Sequence, residues 1–127
     1  MATKIKAVLY IFVAAGFLAT LSCSHIKTSA DSKINKNKKA LKNWTLSYCL
    51  ASALEPGPAK QDALNTAGAY LEAGNQPIEA YEAATLLINN YLAKNYTGIR
   101  PGSFNTKKCI DLYESSELDS LTRKYSN

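Results

Sequence analysis

Asp111, Glu114 and Ser115 stand about one helical turn apart, as do Glu79 and Glu82. A carboxylate pair at such spacing could divide acid and base roles in a hydrolysis, one group protonated and one ionised. The bland alternative is stronger here, because carboxylates three residues apart are the ordinary solvated face of a helix. The other reactive side chains are three cysteines, Cys23, Cys49 and Cys109, and one histidine, His25. A nucleophile–base pair needs a histidine beside a serine or cysteine, and a zinc site needs three or four nitrogen and sulfur ligands. Beyond position 25 the chain has no histidine and only two distant cysteines. A phosphate-cradling glycine loop is also missing. The chain therefore reads as a non-enzyme with no catalytic residues, no metal site and no cofactor.

What the cysteines do depends on where the chain resides. "MATKIK" is basic, "AVLYIFVAAGFLATL" (Ala7 to Leu21) is uncharged, and "SCSHIKTSA" is small and polar. That order is the pattern of a secretory signal peptide. Fifteen residues of helix reach only about 22 Å, short of a hydrocarbon core of about 30 Å. The expected organisation is a signal peptide over residues 1–24, with cleavage as late as residue 30, or lipoprotein-type processing at Cys23. Against lipidation, Leu21 sits one place late for a lipobox. A single domain, 31–127, follows. With Cys23 removed or lipidated, Cys49 and Cys109 are an even pair in an oxidising compartment, which points to a disulfide; two buried free thiols are the other reading.

The net charge of +5 is uneven. Lys33, Lys36, Lys38, Lys39 and Lys42 crowd one stretch, whereas seven basic and nine acidic residues follow from Asn43 onward. A nucleic-acid binder needs a basic face across its fold, so nucleic acid is excluded. The lysine stretch reads as the solvated start of the first helix, with an acidic lipid or an acidic partner as the other reading; membrane contact is otherwise expected only through the signal peptide or a lipid anchor.

The elements that must position these residues are helices. Leu41, Trp44, Tyr48 and Ala51 mark one apolar stripe in a helix over 31–54, broadened by Leu46, Leu50 and Leu54. "EPGPAK" breaks it. A second helix over 59–73 carries Leu64, Ala67, Gly68 and Leu71 on a face of mostly small side chains, and Gly74 ends it. A third begins at Asn75 or Gln76, with Pro77 in its first turn, and runs to about Lys94 with Ile78, Tyr81, Thr85, Ile88 and Leu92 aligned. "NYTGIRPGSFNT", 95–106, is a loop by composition and long for a helix connection. Asn105 or Thr106 can cap the next helix, and Ser116 with Asp119 resembles a capping box, so a restart is expected near Ser115. The fold class is all-α: a compact bundle of four to five helices stapled by one disulfide.

The ending "KCIDLYESSELDSL", 108–121, resembles the C-terminal signature of the type VI secretion amidase immunity protein family. Lys108, Cys109, Asp111, Tyr113, Ser115, Glu117 and Leu118 occupy the signature places. "AYLEAGNQPIEAYE" (69–82), "YLAKNY" (91–96) and the cysteine of "WTLSYC" (44–49) extend the resemblance over most of residues 31–127. Glu114 departs from it, since a histidine is expected there.

The resemblance implies a small, exported, all-helical protein in the periplasm of a Gram-negative bacterium. Such a protein binds a cognate amidase effector delivered by neighbouring or sister cells and blocks its active site. The implied partner is a cysteine hydrolase of the NlpC/P60 type that cuts peptidoglycan stems. Members form homodimers, and a dimer with two amidases makes a heterotetramer. An inhibitor needs a rigid scaffold and a segment that enters a cleft. Gly98, Ile99, Arg100, Pro101, Gly102, Ser103 and Phe104 are the expected partner-binding residues, with arginine a frequent binding anchor. The small-residue face of the second helix is a candidate dimer surface. The alternative is a non-catalytic helical envelope lipoprotein or adaptor.

Overall fold

A computed structural model describes residues 24–126, with side chains from Ser29 onward. The expected signal peptide and the candidate lipidation at Cys23 lie outside the described residues. Five helices follow in order: α1 (Ser24–Ala53), α2 (Pro58–Ala73), α3 (Ile78–Leu92), α4 (Asn105–Tyr113) and α5 (Ser116–Lys124). There is no strand among the described residues. The chain divides into two units, Met1–Lys33 and Ile34–Asn127. Of the first, the described residues are helical and exposed from Ser29 on. The second holds the core.

That core joins Leu41, Trp44 and Cys49 of α1 to Ala80, Tyr81, Ala84 and Ile88 of α3, and closes with Cys109, Leu112 and Leu118 from α4 and α5. Trp44 stacks on Tyr48 and meets the Tyr81 ring edge-on, both at 4.9 Å between centroids. Cys49 and Cys109 form a disulfide, Cα to Cα 5.7 Å, and both residues are fully buried. The bridge expected from cysteine parity is therefore present, and it ties α4 to α1.

The structure corrects several local expectations. α1 begins seven residues before its expected start at residue 31, because the polar run ahead of the apolar stripe contains no breaker and continues as helix. α2 is rotated relative to the expected face. Ala67 is buried and Tyr70 packs against the core, while Leu64 and Leu71 are partly exposed. No neighbour lies within contact distance of a Cβ built on Gly68, so that glycine makes no close approach within the chain.

Pro77 is the N-cap of α3 rather than a first-turn residue, and Ile78 is 65% exposed instead of joining the stripe. The buried face of α3 is instead small and aromatic: Ala80, Ala84, Tyr81 and Tyr91 around Ile88. Gly74 ends α2 in extended backbone (φ −87°), not in the left-handed conformation. A side chain there would collide with Gln76 Oε1 and crowd the Tyr81 hydroxyl at 3.0 Å. Gln76 uses that space to donate from Nε2 to Asn37 O while its Oε1 accepts from Tyr81 (3.2 Å), linking the start of α3 to α1.

The α4–α5 restart falls where expected, but the cap is Ser115 rather than Ser116. Its Oγ accepts from the Leu118 amide (3.1 Å) and donates to Leu112 O (2.7 Å), so one buried hydroxyl ends α4 and starts α5. Ser115→Ala removes both bonds and is expected to cost about 1 kcal/mol, up to about 2. The check is a lowered urea midpoint with an unchanged denaturant slope.

Candidate functional site

The segment between α3 and α4 is held at its base by the tail residues. Asp111, half-buried on α4, accepts from the Tyr96 hydroxyl (2.6 Å) and from the Lys107 ammonium at both oxygens (2.9 and 2.7 Å). Lys107 pairs with it across one helical turn. Lys108, nearly buried at 7% exposure, donates to Leu92 O (2.9 Å) and Asn105 Oδ1 (3.4 Å). A lysine one turn into α4 thus caps an open carbonyl at the end of α3 and interacts with the first residue of its own helix. Both ammonium groups also lie within 6 Å of the Tyr96 ring centre, at 5.2 and 5.9 Å.

The far end of the loop is shaped by Phe104. It is the N-cap of α4 and, among the described residues, the only non-glycine with positive φ (53°). Asn105 and Thr106, the expected caps, fall inside the helix or its first turn instead. A left-handed phenylalanine costs on the order of 1–2 kcal/mol. The ring contacts offset this: a Cβ at Gly98 would fall 2.7 Å from Phe104 Cζ, so the aromatic ring occupies the space that glycine leaves. Phe104, expected as an outward anchor, is half-buried and closes the loop on itself.

Between these two fastenings the tip is open. Ile99 is fully exposed, and Gly98, Arg100, Pro101, Gly102 and Ser103 are exposed with it. Arg100 has no ion pair among the described residues. Beside the tip, Gly102, Ser103 and Phe104 line a groove of about 640 Å³ together with Leu50 of α1, Leu54 just beyond that helix and Ile110 of α4. The arrangement offers a projecting apolar–cationic tip and an adjacent apolar recess, which is binding chemistry.

The carboxylates considered for hydrolysis are differently employed. Both oxygens of Asp111 are engaged, Glu114 is the exposed C-cap of α4, and Glu79 and Glu82 are exposed on α3. No group of three or more histidine, cysteine, aspartate or glutamate side chains is placed to hold a metal among the described residues.

The signature places acquire roles. Cys109 forms the bridge, Leu118 is core, and Tyr113 donates to Asn43 Oδ1 (3.3 Å) across to α1. Lys108 and Asp111 hold the loop base, Ser115 caps α5, and Glu117 lies exposed in its first turn. The signature is scaffold beneath the loop, and none of it is the tip. Tyr96 and Lys107 were missed by sequence reasoning. The i,i+4 spacing of Lys107 and Asp111 is a legible pairing signal, but nothing in the sequence marks Tyr96 as their partner.

The fastening has a pH window. Hydrogen bonds from Lys107, then from Tyr96, hold the Asp111 carboxyl below its ordinary value of 3.8. The bond to Asp111, ahead of burial, pushes the Tyr96 phenol from 10.0 up to about 12. A lowered carboxyl contributes stability above its unfolded value and loses it as pH falls through the folded one; a raised phenol contributes below 10.0 and loses it as pH rises through about 12. Intrinsic-rate-corrected amide exchange in 94–104 is expected to be flat between about pH 5 and 9 and to accelerate below pH 4. Asp111→Asn should remove the acid limb.

The family profile of the type VI secretion system amidase immunity protein, Tai4, matches residues 39–122. A solved chain of the Tae4/Tai4 effector–immunity system of Salmonella typhimurium is 40% identical, with a TM-score of 0.66, over 69% of this chain and 87% of that one. A chain of the Tae4–Tai4 effector–immunity complex of Enterobacter cloacae is 29% identical, with a TM-score of 0.61, over 68% and 88%. One from a study of type VI-secreted toxins and self-resistance proteins in Serratia marcescens is 30% identical, with a TM-score of 0.66, over 71% and 74%. Comparison with curated proteins produced no match. The profile runs from within α1 to within α5, and sequence identity and backbone agree with it: the chain belongs to the type VI secretion system amidase immunity protein family.

Proposed function

We propose that this chain binds a cognate peptidoglycan amidase effector and occludes its active site with the loop between α3 and α4. The protein neutralises the effector by binding alone and performs no catalysis of its own. The observation that carries the reading is the tip itself. Fully exposed Ile99 and Arg100, which has no ion pair among the described residues, project from a loop fastened at both ends, in a relative of chains solved in effector–immunity systems. A pre-fastened loop gives up little conformational freedom on binding, so more of its contact energy appears as affinity. Gly98 through Phe104 form the binding segment, with Phe104 acting from inside.

In the same reading the partner is a cysteine hydrolase of the NlpC/P60 type, and the protein acts in the periplasm after loss of the 1–24 signal peptide. Among the described residues no helix is long and apolar enough to cross a membrane. A homodimer, giving a heterotetramer with two amidases, completes the assembly. Exposed Ile78 and Leu86 on α3, and Leu64 and Leu71 on α2, are apolar surfaces available to it.

The test is muropeptide cleavage by a candidate amidase with and without the periplasm-matured protein at equal molar ratio. Stoichiometric inhibition is expected, with a complex on a sizing column and about 800 Å² buried per partner. Absence of both across a panel of related amidases would refute the reading.

A further inference from the structure

Four lysines of α1 within the folded unit, Lys36, Lys38, Lys39 and Lys42, take no part in the loop or its fastening. At 100° per residue they fall within an arc of about 160° centred on Lys39. Leu41, fully buried, lies on the opposite side; Lys36 and Lys39 are exposed, and Lys38 and Lys42 are half-buried. Only Lys42 has a carboxylate partner: its ammonium meets Asp119 Oδ1 at 2.8 Å and lies 4.9 Å from the Tyr113 ring centre. Lys36, Lys38 and Lys39 have no ion pair among the described residues.

The ridge is flanked by two grooves. One has Lys38, Lys39 and Lys42 facing Tyr113 and Asp119; the other has Lys36 and Lys39 facing Tyr70 and Ala73. The chain from Asn43 onward carries seven basic against nine acidic residues, so positive charge is concentrated on this ridge and not spread over the fold.

We propose that the lysine ridge of α1 is a docking surface for an anionic phospholipid membrane. Charge complementarity favours this occupant: lysines spread over an arc of about 160° on one helix, three of them without an ion pair among the described residues, suit an array of mobile lipid phosphates better than one acidic ligand. Sequence order agrees: Lys36 follows the apolar segment that ends at Leu21 by fifteen residues, so the ridge lies early in a chain expected to pass through that membrane. The ridge also leaves the loop free. Lys39 and Leu54 are fifteen residues apart on or just beyond one helix, about 22 Å along its axis, and the grooves of the ridge share no lining residue with the groove beside Phe104. A protein held by residues 36–42 keeps the groove beside Phe104 clear of the membrane contact.

The experiment uses the periplasm-matured protein, sedimented with vesicles of phosphatidylglycerol in phosphatidylcholine and with vesicles of phosphatidylcholine alone. The readout is the ratio of the two partition coefficients, which an apolar or lipid anchor leaves near one. Each lysine near an anionic surface is worth roughly a fivefold change in partition, so the triple variant Lys36→Gln, Lys38→Gln, Lys39→Gln is expected to lower the ratio about a hundredfold. Lys42 is left in place because it is paired. Lys60→Gln with Lys124→Gln removes two charges outside the ridge and should lower the ratio far less. Raised salt should shrink the ratio for the native protein. A ratio near one for the native protein, an unchanged ratio for the triple variant, an equal fall in the Lys60 and Lys124 variant, or charge-dependent binding to purified sacculi without binding to the anionic vesicles would each overturn the proposal. Circular dichroism of the variants confirms that the helix persists.

Discussion

Arg100→Ala is expected to weaken binding of the cognate amidase by on the order of 30-fold, and Ile99→Ala by a similar factor, with no measurable loss of thermal stability. Interface anchors cost about 2 kcal/mol or more when truncated, and arginine is over-represented among them. The expected neutrality toward folding comes from the structure. Ile99 buries nothing in the free protein, and Arg100 is exposed and makes no ion pair among the described residues. The two effects need not add, since both residues occupy one tip. Deleting Ile99 to Ser103 should abolish inhibition altogether while leaving the helices intact. Titration calorimetry and melting curves on the same preparations separate the contributions. Full inhibition by the deletion variant would remove the loop from the mechanism.

Loss of the Cys49–Cys109 bridge is the largest expected effect on stability. The sulfurs close a separation of 60 residues, for which chain entropy alone gives about 4 kcal/mol. A domain of this size holds only about 5–15 kcal/mol in total. Cys49→Ala with Cys109→Ala should therefore lower the melting temperature by on the order of 20 °C. Both sites are fully buried, so the shortened side chains also leave a void against Leu112 and its neighbours in the core. Cys109 sits between Lys108 and Asp111, the two residues that fasten the loop base. A weakened α4 should consequently raise amide exchange through 94–104 before the protein melts. A melting point within a few degrees of native would show that packing alone holds α4 on α1.

What was legible in the sequence follows from local physics. Proline and glycine in "EPGPAK" end α1 in any context. Spacing of Leu41, Trp44 and Ala51 marks a buried face wherever the helix packs, and all three are buried. With Cys23 expected to leave with or be modified in the leader, cysteine parity points to one pairing, and it is the one formed. The tail motif identified the family for the same reason, being a run of residues whose types and order can be read without coordinates. Reading failed where contrast was weak. In α2 and α3 half of the buried positions are alanine, and a face built on alanine differs too little in hydropathy from its flanks to set the rotation. Hence Leu64, Leu71 and Ile78 were expected inside and lie partly or largely exposed.

The helices, their breaks and the family were readable from residue order, because each rests on interactions within a few residues, and cysteine parity pointed to the bridge. What the tail signature does depends on how the helices pack. Tyr96 meets Asp111 across 15 positions, Lys108 reaches Leu92 across 16, and Tyr113 reaches Asn43 across 70. Such bonds depend on where the chain returns, and that is set by the packing of α4 against α3 and α1. The same packing turned Phe104 inward over Gly98 and left Ile99 and Arg100 outside. A loop residue's composition does not say which way it faces; the space left by its neighbours does.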